Sequence, residues 1–546
     1  MKGYDYDFII IGSGFGGSVS AMRLSQKGYS VAVIEAGRKY ASGDFTRSNW
    51  GIKKYIWKPG LFCYGILQIK PMRHMVVLAG TGVGGGSLGY AGTLYVPGKD
   101  FFQDKIINRI GGDDTLLPYY GIASRMLGID KNPKLDEPDQ GMKMTAVEFG
   151  CGDSFHATPT GIYFGEPDVL SPDPYFMGEG PERTGCNFCG GCYVGCNNNS
   201  KNSLDKNYLY FAEKLGATVI PETKAISIVP LSEDGADGYR VDTVRSTRPM
   251  RSTRISLRSK HVLIAAGVIG TVELLLKMKD NRILPRLSEK LGHLVRTNNE
   301  SMTCVTVKKR GVDFSKGVAI TSSVQPDDYT RVEVCRYPKG FDMMGACASG
   351  IINDGMGGIP RWVKYIKAVL SHPLRCMRLF LPFGFSCNSV ILLIMQSINH
   401  SVQLVLRRRW LFPFAKKVTS AIPRGADRIP SYIQIGNDFT RALAKRMDGY
   451  PRGFINEVMC NIPTTGHILG GCCMSESPAD GVVDLQNRVF GYQNLWICDG
   501  STIPANLGVN PSLTIAALTE RAMSFVHHKH PGGIPHRFSF EKIWGN

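Results

Sequence analysis

The chain is short of several things that would simplify its reading. No low-complexity tract or internal repeat stands out across the 546 residues, so most of the chain is expected to fold, and at this length into two closely joined units. No apolar run is long enough to cross a bilayer; the best, Val390 to Met395, is bounded by Asn388, Ser389 and Gln396 and reads as a buried strand. Acids are scarce beside bases, 46 against 64, leaving a net charge of +18. That excess brings nucleic acid, an anionic membrane or acidic substrates into consideration, but no nucleic-acid-reading motif accompanies it, so no nucleic-acid partner is expected. The opening residues have no signal-peptide pattern, since Lys2 to Asp7 run straight into a strand. The 15 cysteines are therefore read as mostly free or ligating thiols of a reducing, cytoplasmic compartment.

What the chain has in abundance is glycine, 63 residues gathered in local clusters rather than at a fixed period. The first cluster, Gly12-Ser13-Gly14-Phe15-Gly16-Gly17, follows the apolar strand Phe8 to Ile11 and precedes helix-compatible sequence through Lys27. A second strand, Ser30 to Ile34, then ends on Glu35. Strand, glycine turn, helix, strand and acid together form a dinucleotide-binding arrangement. Gly12 makes the tight turn, Gly14 admits the pyrophosphate, Gly17 lets helix and sheet approach, and Glu35 takes the ribose hydroxyls. An acid there repels a 2′-phosphate, so FAD or NAD fits and NADP does not; FAD is favoured because long non-Rossmann stretches follow. A structural glycine turn is the alternative.

The second cluster runs from Gly80 to Tyr90 and includes Gly84, Gly85, Gly86 and Ser87. Its amides can line a pyrophosphate or lie against a flavin ring; apolar residues on both sides argue against a slack loop. In the carboxy-terminal third, His467 sits in Thr465-Gly466-His467-Ile468-Leu469-Gly470-Gly471. A short strand ends on Asp499-Gly500, and Asn510-Pro511 opens a helix over Leu513 to Met523. Alcohol oxidation needs a group to orient or accept the hydroxyl proton while hydride leaves carbon, and His467 and Asn510 are the candidates. Either alone is as readily an ordinary core or turn residue; beside two dinucleotide-type clusters that reading weakens.

These blocks, with Gly185 to Tyr210, Ala265 to Leu276 and Leu291 to Glu300, resemble the glucose–methanol–choline oxidoreductase family, and within it the cholesterol oxidase-like branch. The resemblance implies an α/β fold: a Rossmann-like FAD-binding domain (1–93, 182–310 and 455–546) interleaved with a substrate domain (94–181 and 311–454) built on a large mixed β-sheet flanked by helices. It places His467 and Asn510 near the flavin N5, and lays Gly267 and Asp499-Gly500 along the dinucleotide. Leu88-Gly89-Tyr90-Ala91-Gly92 lacks the histidine that tethers flavin in some members, so FAD is expected to be non-covalent. The implied reaction is oxidation of a sterol or other bulky apolar alcohol, with oxygen, a quinone or a carrier protein as electron acceptor. The sterol oxidases also move a proton with a glutamate during double-bond isomerisation. The counterpart falls between Arg331 and Asp342, with Asp342 the closer positional match and Glu333 the nearest glutamate. The rivals are a dehydrogenase of another apolar alcohol, and a lipid-binding or electron-relay protein that keeps only the flavin fold.

Two features stay open. Cys186, Cys189, Cys192 and Cys196 have the spacing of an iron–sulfur site, but Asn197 stands where a proline is usual and no second run of four follows, so no metal is assigned and a tight structural loop is the alternative. Arg361 to Lys367 and Arg407 to Lys417 interleave basic and large apolar residues, which suits peripheral contact with a membrane; a solvated basic face is the alternative.

Overall fold

The computed structural model describes residues 3–248, 253–349, 359–408 and 416–530. Its first sheet grows from the apolar runs read above. Tyr6–Ile11 pairs in parallel with Val31–Ile34 on one side and with the end of Arg254–Ile264 on the other. Thr218–Ile220 extends one edge and Leu495–Ile497 the other, both in parallel. These strands read as continuous β-branched runs because helices cover both faces and leave no polar side to alternate with. The long strand Arg254–Ile264 does double duty: its first half pairs antiparallel with Tyr239–Arg245, which pairs in turn with Thr223–Pro230.

The helix Phe15–Gln26 follows the first strand directly and is almost wholly buried. Ser512–Ser524 and Tyr208–Lys214 pack on it. The chain from Leu204 forms no continuous helix: Leu204–Lys206 is a single 3-10 turn, and the α-helix begins at Tyr208, whose N–H is taken by the side chain of Asn207.

The second sheet has six strands in the order Gly449–Gly453, Ser301–Val307, Ser389–Gln396, Thr330–Cys335, Ile320–Val324 and His156–Ala157, each neighbouring pair antiparallel. The run Val390 to Met395 is its central buried strand. Helices Glu137–Glu148 and Gln434–Arg446 close one face through Met142, Ala146, Phe439 and Leu443. Ser301–Val307 belongs to this sheet, so the segment 182–310 assigned to the flavin unit loses its last strand and the chain crosses between sheets at Glu300. Among the described residues no helix is long and apolar enough to cross a membrane.

Candidate active site

A small third sheet brings the two halves of the site together. Thr464–Thr465 pairs in parallel with Val76–Gly80, so both strands end at the same side. One runs into the second glycine cluster and the other into Gly466-His467. The glycine clusters then meet: a Cβ on Gly85 would come within 2.6 Å of the Gly14 Cα. Gly84 and Gly85 take positive φ of 106° and 54°, and the Ser87 hydroxyl donates to the Gly84 carbonyl (2.7 Å) while accepting from the Leu204 amide (3.0 Å). Gly12 (φ 103°) and Gly17 have no room for a side chain, the first against the Ala265 carbonyl and the second against the Gly12 carbonyl. Packing thus demands glycine at those two positions.

Four other glycines of these motifs face open space. A Cβ at Gly14, Gly86, Gly267 or Gly466 would meet no atom within 4 Å. The N-terminus of Phe15–Gln26 has no side-chain cap, leaving its amides for an anion. Glu35 lies buried at the strand end, its carboxylate taking the Ser13 amide (3.1 Å), the Ser13 hydroxyl (2.7 Å) and the Gly37 amide (2.8 Å); burial still holds its pKa above the usual range. Asp499 accepts from the Ser501 amide (2.8 Å) and the Thr271 hydroxyl (2.5 Å), and burial likewise raises it. The Gly500 carbonyl accepts from the Gly470 amide (2.9 Å), tying Asp499-Gly500 to the segment that carries His467. A glycine-walled space, an uncapped helix start and an acid at the second strand end fit FAD, with phosphate at the helix and the ribose near Glu35.

At the far end of this cradle four polar side chains converge from four segments. His467 Nε2 lies 3.4 Å from Asn510 Nδ2, which lies 3.5 Å from Glu333 Oε2. His467 Nδ1 contacts Glu300 Oε1, and the other Glu300 oxygen accepts from the Gly466 amide (2.7 Å). A carboxylate can only accept, so Glu300 selects the tautomer with the proton on Nδ1 and leaves Nε2 facing Asn510. Burial opposes the imidazolium, yet Glu300 outweighs it and the His467 pKa lies above its ordinary value. Burial pushes the Glu333 carboxyl up to about 7, against the pull of Arg331 and of His467. Glu333 Oε1 and Asn510 Oδ1 are buried without a hydrogen-bond partner among the described residues. Two orphaned oxygens on neighbouring side chains call for a partner that a hydroxyl-bearing ligand would bring.

Asn298 positions the loop that carries Asn510. Its side chain accepts from the Gly508 amide (2.8 Å) and donates to the Val509 carbonyl (2.9 Å), while Asn298 and Asn299 turn through positive φ toward Glu300. Sequence reading passed over Glu300 and Asn298; their one signal was the run of polar residues Thr297 to Glu300 ahead of an apolar strand.

Asp342 is not part of this group. Its carboxylate accepts from the Gly384 amide (3.0 Å), the Ser386 amide (2.9 Å) and the Ser386 hydroxyl (2.7 Å), and so holds a turn of the second sheet's margin. Of the two acids it is Glu333, on the strand Thr330–Cys335, that faces Asn510. The four cysteines lie near one another in their turn, with Cys186 buried and Cys189 exposed, and burial together with the neighbouring thiols pushes the Cys186 pKa up; among the described residues no three His, Cys, Asp or Glu side chains are disposed to hold a metal ion. The cysteine turn braces the glycine loop instead, through buried Lys201, whose ammonium donates to the carbonyls of Leu88 (2.8 Å), Tyr90 (3.2 Å) and Cys192 (2.7 Å).

Comparison with known proteins agrees with this geometry. Residues 181–278 and 431–519 match profiles of the GMC oxidoreductases, and residues 10–51 a profile of the NAD(P)-binding Rossmann-like domain. The chain is 43% identical to a cholesterol oxidase of Acinetobacter baumannii over 97% of its own length and 96% of the relative's. It is 42% identical to a cholesterol oxidase of Mycobacterium tuberculosis, covering 98% of this chain and 94% of that one. Among solved structures it is similar in fold to pyridoxine 4-oxidase from Mesorbium loti (TM-score 0.61, 13% identity, 96% of this chain and 100% of the other). The chain belongs to the GMC oxidoreductase family, in its cholesterol oxidase-like branch, and is an FAD-dependent oxidoreductase acting on CH–OH groups.

Proposed function

We propose that the chain oxidises the ring hydroxyl of a sterol, or of a comparably bulky apolar alcohol, to the ketone. The observation that carries this reading is the convergence of His467, Asn510 and Glu333, with two orphaned oxygens, at the end of a glycine-walled cradle. FAD, held without a covalent link by Gly12 to Gly17, Glu35, Gly84 to Ser87, Gly267 and Asp499-Gly500, supplies the two-electron acceptor for the hydride. The substrate oxygen sits between His467 Nε2 and the Asn510 amide. His467 takes the hydroxyl proton there, and Glu300 on Nδ1 stabilises the imidazolium that results. Glu333, poised near neutrality, is the group we assign to carrying a proton between substrate carbons when a double bond migrates beside the new ketone. The identity of these protein relatives supports the sterol over other alcohols; the electron acceptor is oxygen, a quinone or a carrier protein.

Anaerobic mixing of FAD-loaded protein with cholesterol and, separately, with long-chain alcohols tests this. Bleaching of the flavin absorbance by cholesterol is expected, and its loss in His467→Ala. Bleaching by another alcohol alone would remove the sterol and keep the chemistry. No bleaching at all would overturn the oxidation reading in favour of a scaffold role. Admitting air to the bleached enzyme then separates oxidase from dehydrogenase.

A further inference from the structure

Two consecutive helices of the substrate half, Arg361–Ser371 and Pro373–Phe380, turn an apolar stripe outward. Inward they bury Tyr365, Cys376 and Leu379. Outward, Trp362, Ile366 and Leu370 recur at four-residue spacing on the first helix, exposed by 52%, 43% and 74%. Leu374, Met377 and Leu381 continue the stripe along and just past the second, exposed by 76%, 63% and 60%. A solvated helix ordinarily shows water its polar side, so this stripe is built for another medium. Trp50 enlarges the patch by stacking on exposed Phe383, ring centroids 6.3 Å apart.

The segments that make up the patch carry charge of one sign. Residues 359–388 contain five Lys or Arg and no acid, and residues 50–62 add Lys53, Lys54 and Lys58, again with no acid. Lys53, Lys54, Lys58 and Lys367 are exposed and make no ion pair among the described residues. A second copy of this chain would bring the same positive charge to the contact and repel it. An anionic bilayer answers both halves of the pattern, accepting the Leu, Met and Trp side chains beneath headgroups that attract the lysines.

We propose that this helix pair, with the Trp50 segment, is a docking surface for the anionic lipid bilayer. The pair is anchored to the site's own framework: Arg361 donates to the Ser431 hydroxyl (2.7 Å) and to the Asn461 side chain (2.6 Å), and the first helix packs on Ile455–Cys460, the helix that leads into Thr464–Thr465 and His467. Docking therefore sets the distance of the reaction centre from the membrane plane. This inference is independent of the substrate assigned above.

Flotation of the full chain with sterol-free phosphatidylcholine vesicles, with and without about 30 mol% phosphatidylserine, tests it. Binding is expected to the anionic vesicles, to weaken with added salt, and to fall about tenfold or more in Leu370→Ser/Leu374→Ser/Met377→Ser. Those side chains are exposed, so the variant should keep its native melting temperature; Lys53→Glu/Lys54→Glu is a second variant that leaves the helices intact and should also weaken binding. Absence of flotation, or equal flotation of wild type and both variants, would overturn the proposal. So would a concentration-dependent dimer lost in the triple variant without vesicle binding, which would make the patch a contact between copies.

Discussion

Arg331 is a buried cation two residues from Glu333 on the same face of one strand. Its guanidinium donates to the Ser323 hydroxyl (3.0 Å), lies over the Tyr95 ring at 4.6 Å, and has no carboxylate in ion-pair range among the described residues. It is thus free to act on Glu333 through space, drawing the carboxyl down from where burial alone would put it. Arg331→Met is expected to move the ionisation of Glu333 upward by about one pH unit, and Arg331→Lys to restore it; direct titration of the Glu333 carboxyl by pH-difference infrared spectroscopy checks this, and an unmoved titration in Arg331→Met would remove the role. His467→Ala and Asn510→Ala should each lower kcat by roughly a hundred- to ten-thousand-fold with the flavin still bound, measured by single-turnover reduction. The residue scale is also where the sequence was least readable. The glycine motifs were legible because their spacing is local. Glu333 and Asp342 stayed alternatives because counting along a chain does not reveal which side chain reaches Asn510, and Glu300 was missed because its partnership with His467 exists only in three dimensions.

Among the elements, three helices are tied by one buried cluster. Glu520 on Ser512–Ser524 accepts from Arg23 (2.6 and 2.9 Å) on Phe15–Gln26 and from the Tyr208 hydroxyl (2.7 Å) at the start of Tyr208–Lys214. The helix after the glycine motif is thereby fixed to the one after Asn510, which couples the dinucleotide end to the reactive end. Glu520→Ala leaves half-buried Arg23 without its counter-charge and is expected to cost about 2 kcal/mol in a denaturant titration, whereas Glu520→Gln, which keeps an acceptor for Tyr208, should cost less. Helix Ser512–Ser524 was foreseen to within a residue because Asn-Pro marks its start. The break at Asn207 was not, since it depends on a side chain folding back onto the next amide. The basic-aromatic stretch at 407–417 falls partly outside the described residues; its ends, Gln403–Arg408 and Lys416–Ala421, form an antiparallel pair.

For the molecule as a whole, titration gives a definite sign. Glu333 rises from an ordinary value of 4.5 to about 7, and Glu457, buried against Ser301 and the Met302 amide, to about 8. Between those values the folded chain holds protons that the unfolded chain has released, so stability falls as pH rises. The raised His467 acts in the same direction, its contribution present below its unfolded pKa and lost as pH rises through the folded one. Unfolding free energy should therefore decline from about pH 5 to pH 8, and Glu333→Gln should flatten the decline. All 15 cysteines are free, and three, Cys189, Cys347 and Cys460, are exposed. Native-state thiol titration should show those reacting first, with the rest appearing on unfolding and reductant leaving the melting temperature unchanged.

The strand Arg254–Ile264 lies between Tyr6–Ile11, which is translated before it, and Leu495–Ile497, which is translated long after it. While the ribosome is still translating the second sheet, Val262, Leu263 and Ile264 present a bare apolar edge with nothing yet made to cover it. The nascent chain needs that edge guarded until Leu495–Ile497 emerges, and a message cut short before Leu495 should yield aggregate, not a smaller enzyme.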